Sequence, residues 1–178
     1  MRALTLCLLA CLLVGCGDPG PQVRAYTAAT DKPLSEYVDL MGEYAHLSNQ
    51  VKERMDKVAM TPELAARMAE DLEVPLDVLS KRYDGILAEL RKAPPAPKQA
   101  ADYQKSVEDM FLMMGKMLGN YKELALEMKK GRSADVNKMA KLSREMESYS
   151  AAATQARQDA QKQRQELDAK YPAQSQGE

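Results

Sequence analysis

The chain has no tryptophan, one phenylalanine and one histidine in 178 residues. A single histidine leaves acid-base catalysis without its usual pair of partners, and scattered carboxylates form no constellation around it. Charge of either sign is not in excess: 25 Lys and Arg face 26 Asp and Glu, for a formal net charge of −1. That balance gives no basic footprint for nucleic acid and no acidic tail. The charges are interspersed, as on a solvated helical surface. No stretch alternates with a period of two, so strands are not expected. The cysteines, Cys7, Cys11 and Cys16, all fall in the first sixteen positions. What the chain does have is methionine and tyrosine, twelve and eight of them, which must supply most of the bulk of any core.

The amino-terminal end begins with Met1 and Arg2, followed by an uncharged run from Ala3 to Val14. That run is too short to span a bilayer and has the form of a secretory leader. It ends in "LVGC", Leu13 to Cys16, which resembles the lipobox of bacterial lipoprotein precursors. The resemblance covers only the leader, and no family is suggested for the rest. It implies cleavage before Cys16, a diacylglycerol thioether on that cysteine and acylation of its new amino group with a palmitate-type chain. This covalent lipid would be the only non-protein group. Gly17 rather than Asp follows the cysteine, which by the enterobacterial sorting pattern implies an outer-membrane lipoprotein facing the periplasm. The mature chain would keep no free thiol, which excludes disulfides, thiolate metal sites and cysteine nucleophiles.

Residues 17 to 32, "GDPGPQVRAYTAATDK", carry Gly, Pro and Thr without clear periodicity and are expected to form, with acylated Cys16, a flexible tether spanning on the order of 20 Å. The expected organisation is therefore a signal peptide over 1–15, an anchor and tether over 16–32, a helical domain over 33–172 and a disordered tail over 173–178. Within 33–172 the apolar residues recur at alternating steps of three and four, the spacing of helices packed along a seam. One seam runs through Leu34, Tyr37, Met41, Tyr44, Ser48, Val51, Met55 and Val58. "TPE" at 61–63 restarts the helix with a cap, a proline at the first helical position and an early carboxylate. The second seam, Leu64 to Leu90, carries Pro75 in its middle, predicting a kink or break there. "APPAP" at 93–97 separates it from a third, Ala100 to Met128, which stops at Gly131. Ser133 is placed to cap a fourth, Met139 to Leu167. Short connections make consecutive helices antiparallel neighbours, so the fold predicted is an all-α, up-down-up-down four-helix bundle.

Bundles often hold metals or haem. "EYAH" at 43–46 matches the Glu-x-x-His of ferritin-like di-iron bundles, but such sites need the motif from two helices, and the seam turns Glu43 and His46 outward. Haem lacks Cys-x-x-Cys-His and would need His46 in the core. No enzymatic activity is expected. Tyr37, Tyr44, Tyr83, Tyr103, Tyr121 and Tyr149 recur at seam positions, where each hydroxyl must find an acceptor or the bundle edge.

Two features of the third helix remain. Met110, Met113, Met114 and Met117 share one face, and soft thioethers suit Cu(I). Packing explains them without a metal: counting from the membrane end sets residue 113 level with about residue 49, Pro75 and residue 154, where small residues and a kink call for a flexible filler. No metal is preferred on these grounds. Leu112, Gly115 and Gly119 then form an outward stripe that the seam does not use, and two glycines inside a helix cost about a kcal/mol each relative to alanine. A second helix docking there would supply the compensation. The expected function is a lipid-anchored, non-enzymatic adaptor or scaffold of the cell envelope, binding another envelope protein or itself. The alternative is a periplasmic Cu(I) protein using the four methionines.

Overall fold

A computed structural model describes residues 18–57, 59 and 61–173. The leader, Cys16 and the tail beyond residue 173 lie outside the described residues. Among the described residues the chain forms four α-helices and no strand: α1 (Gly20–Lys57), α2 (Pro62–Leu90), α3 (Ala101–Lys129) and α4 (Val136–Lys170). They make the antiparallel four-helix bundle that the seams predict. Short 3-10 turns, Lys98–Ala100 and Gly131–Ser133, lead out of the second and third connections. Thr61 caps α2 by accepting the Leu64 N–H at 3.2 Å, with Pro62 in the first turn. Gly131 takes the left-handed conformation, φ 55°. The cap of α4 is Asp135, whose carboxylate accepts the Lys138 N–H at 3.0 Å. Ser133, expected in that role, lies inside the 3-10 turn and donates its hydroxyl to the Lys130 carbonyl instead.

The first correction concerns the tether, because α1 starts at Gly20 and absorbs residues 20–32 as helix. Val23, Tyr26, Thr27 and Thr30 are buried and extend the three-four spacing back from Tyr37. Threonine hides this pattern, since its hydroxyl counts as polar. Here those hydroxyls are satisfied internally: Thr27 donates to the Val23 carbonyl at 3.0 Å, and Thr30 to the Thr27 carbonyl at 2.8 Å. Satisfied in this way, a threonine presents mainly its methyl to the core. Asp18 accepts the Gly20 N–H at 2.8 Å and opens the helix. At 38 residues α1 is roughly 57 Å long at the α-helical rise.

Pro75 neither breaks nor ends α2, which runs unbroken past it. The carbonyl four residues back, which the proline leaves without its N–H donor, belongs to Asp71, an exposed position.

The most deeply buried helix is α3. One stripe, through Tyr103, Val107, Met110, Met114, Met117, Tyr121 and Met128, follows the expected seam, and a second, Phe111, Leu118 and Ala125, repeats every seven residues beside it. Two buried stripes give α3 neighbours on both sides, α2 and α4, with α1 reached across the bundle by tyrosine side chains. The heights of the helices also differ from expectation. Tyr37 meets Met110 and Tyr83 meets Phe111, so by equal helical rise residue 113 lies level with about residue 40 on α1 and about residue 81 on α2, rather than with residue 49 and Pro75. Two causes act together: α1 starts 13 residues earlier than Pro33, and the "APPAP" connection, extended rather than helical, carries the chain below the end of α2 before α3 begins. On α4, Lys116 lies over the Tyr149 ring, which by equal helical rise sets residue 113 level with about residue 152, and Ala153 and Ala156 there are buried.

Candidate functional site

The middle of α3 carries the four methionines together with Leu112, Gly115 and Gly119. Met110, Met114 and Met117 are 2%, 0% and 0% exposed, whereas Met113 is only partly buried and packs against the core's edge. At that depth the three thioethers are filling the space between helices, and a metal ion would need the core to open. Among the described residues no group of three or more His, Cys, Asp or Glu side chains is placed to hold a metal. Glu43 forms an ion pair with Arg82, and His46 lies 2.9 Å from the Gln50 amide on the exposed face.

Tyrosines anchor the neighbouring helices to the α3 backbone. The Tyr37 hydroxyl donates to the Met110 carbonyl at 3.2 Å, and that of Tyr83 to the Phe111 carbonyl at 2.9 Å. Thr30 and Tyr103 share a buried hydroxyl contact of 2.9 Å, and Tyr44 points its hydroxyl at the Met146 sulfur at 3.7 Å. Burial pushes the hydroxyls of Tyr26, Tyr37 and Tyr44 up to about 12 and raises that of Tyr121 further. These groups stay protonated at physiological pH, and the hydroxyls of Tyr37 and Tyr44 act as donors.

The same contacts dismantle the proposed glycine stripe. A side-chain carbon at Gly115 would stand 2.8 Å from the Tyr83 hydroxyl oxygen and 3.2 Å from its ring. In a helix the carbonyl of residue i is overhung by the side chain of residue i+4, so Tyr83 can reach the Phe111 carbonyl because residue 115 has none. Gly115 thus serves the α2–α3 contact within one molecule and is not a docking position for another. Gly119 is different: it is exposed, with nothing within 4 Å of an added carbon. Leu112 is 50% exposed, as expected, but it lies over a separate hollow with Leu87, Leu90 and Arg91. The three residues do not form one continuous face.

No family model matches the chain, and no curated protein and no solved structure matches it significantly. The candidate sites therefore stand on geometry alone.

Two surface features were not singled out from the sequence. One is a cleft of about 840 Å³ between the later half of α1 and the first half of α4, floored by Tyr44, Tyr121 and Met146. The other is a groove of about 660 Å³ along the outer α2–α3 seam. Val74, Val78 and Leu126 stand over it at 71%, 50% and 62% exposure. Its signal was present in the sequence: two valines four apart among Glu73 and Asp77, and a leucine between Lys122 and Lys129, all pointing away from the seam.

Proposed function

We propose that the chain is a lipid-anchored protein of the bacterial cell envelope, held at the outer membrane through Cys16 and facing the periplasm, and that its bundle works as a non-enzymatic adaptor or scaffold. The carrying observation is the leader ending in Leu13–Cys16. The early start of α1 adds support, since only residues 17–19 separate Cys16 from the first helical residue. A bundle so closely tied would stand directly on the bilayer rather than at the end of a leash. No described helix is long and apolar enough to cross a membrane. The exposed apolar groove on α2 and α3 supports a binding role, because large apolar side chains gathered at one place on a surface mark interaction sites.

Metabolic labelling with a clickable fatty acid tests the anchor. The wild-type chain is expected to take up label and to fractionate with membranes, while Cys16→Ala takes up none and is released. Equal labelling of the two chains overturns the reading.

A further inference from the structure

The α2–α3 groove has a polarity that selects its occupant. On the α2 side its rim carries Glu73, Asp77 and Lys81, and on the α3 side Lys122 and Lys129. Within one molecule Lys129 reaches Glu73 at 2.6 Å, and Asp77 is held by Lys81 at 2.7 Å. Lys122 forms no ion pair among the described residues. One rim is thus predominantly acidic and the other wholly basic, with Val74, Val78 and Leu126 between them.

We propose that two copies of this chain dock here face to face, about a two-fold axis parallel to the helices, so that α2 of each copy lies over α3 of the other. That axis sets the acidic rim of each copy against the basic rim of its partner and gives Lys122 a counter-charge. Val78 meets Leu126 across the interface, which removes both from water. A two-fold running across the groove would instead bring Lys122 and Lys129 of both copies together, and like charges so placed oppose association. The parallel axis also leaves both amino-terminal ends at the same end of the dimer. For that orientation, though not for the pairing itself, the inference rests on the proposed anchor, since two copies lipidated at Cys16 must enter one membrane from one side.

The closing experiment uses the full chain. Two differently tagged copies are co-expressed, one bearing Val78→Cys and the other Leu126→Cys, and a mild oxidant is added to lysed cells. The expected product is a disulfide-linked pair carrying both tags, with little linkage when Val78→Cys is present alone or when Val136→Cys replaces either partner. Linkage of Val78→Cys to itself, without the mixed product, shows the crossed arrangement and overturns the proposal. No linkage in any combination overturns it as well. Repeating the mixed pair in a Cys16→Ala background separates the two readings. If the anchor assignment fails, Cys16→Ala changes neither labelling nor fractionation, while the mixed linkage can still form. If linkage instead disappears with the lipid, shared anchorage rather than this face brings the copies together, and the proposal is wrong. Sedimentation of the detergent-extracted chain completes the test: the wild type is expected at twice the mass of Val78→Asp, with equal helicity by circular dichroism. A monomeric wild type overturns the dimer.

Discussion

The two halves of α1 have the same heptad-like spacing and opposite fates. Every buried residue of the helix lies between Gly20 and Tyr44, and none lies between Ala45 and Lys57. The difference comes from the neighbour. Near the start of α1 the last turns of α4 are drawn in by Arg164, which donates to the Thr27 carbonyl at 2.9 Å and pairs with Asp31, while Arg24 reaches the Pro172 carbonyl. Further along, α4 diverges from α1 and the cleft over Tyr44 and Tyr121 opens between them. An amphipathic period states which face of a helix turns inward. How deeply that face is covered depends on the partner helix, and α1 shows both outcomes along one element.

The sharpest way to break this comparison is to remove equivalent apolar bulk from each half. Leu40 is 0% exposed, so Leu40→Ala is expected to lower stability by about 2 to 5 kcal/mol through lost burial and a cavity. Val51, partly buried beside the cleft, is expected to lose less than about 1 kcal/mol on the same change. Chemical denaturation followed by circular dichroism reads both. Equal losses would mean that the later half of α1 is as firmly packed as the first.

Alkali offers a second, graded probe, because the tyrosines of α1 all lie in its covered half. Tyr26, Tyr37 and Tyr44 ionise in the folded chain only near pH 12, burial being the main cause, against about 10 in an unfolded chain. Between these values the unfolded state has lost protons that the native state still holds, so stability falls as pH rises from 10 towards 12 and is unaffected below 10. The part of the tyrosinate absorbance lost when Tyr26, Tyr37 and Tyr44 are replaced by Phe should therefore appear together with loss of helicity. Smooth ionisation near pH 10 with the helices intact would show that these hydroxyls are open to solvent.

Much of this arrangement was readable beforehand, and the exceptions have physical causes. The seams of α2, α3 and α4, the Thr61 cap and the left-handed Gly131 follow from residue type and spacing, because each is decided within a turn or two of chain. The start of α1 was not readable by the same rule. Thr27 and Thr30 occupy buried positions with hydroxyls bonded to their own helix, a solution invisible to any scale that ranks threonine as polar. Leu40 rather than Met41 is the fully buried residue of that turn. Met110, Met114 and Met117 of the methionine stripe are buried, but the heights of the residues facing them differ from expectation, since heights in a bundle depend on connections. Three prolines in "APPAP" lengthen one of these without adding a helical turn. For the candidate site, the outward exposure of Leu112 was legible, but the function of Gly115 was not, because the tyrosine that needs it lies 32 residues away on another helix.

The smallest expected effect sharpens the contrast between covered and uncovered surface within a single helix. Gly115 and Gly119 are one turn apart on α3, with equal intrinsic reasons to be replaced. Alanine is the better helix former by about 1 kcal/mol. At Gly119 nothing opposes the change, so Gly119→Ala is expected to stabilise the chain by up to that amount. At Gly115 the new methyl meets the Tyr83 hydroxyl and displaces it from the Phe111 carbonyl. Losing that hydrogen bond costs about 1 kcal/mol, which cancels the gain and leaves Gly115→Ala near neutral. The pairing with Tyr83 makes the cause testable by a double-mutant cycle. In a Tyr83→Phe background the hydroxyl is gone, the closest contact is relieved, and Gly115→Ala should recover the stabilisation seen at Gly119. If the Gly115 change has the same effect with and without the hydroxyl, Tyr83 is not what keeps that position bare.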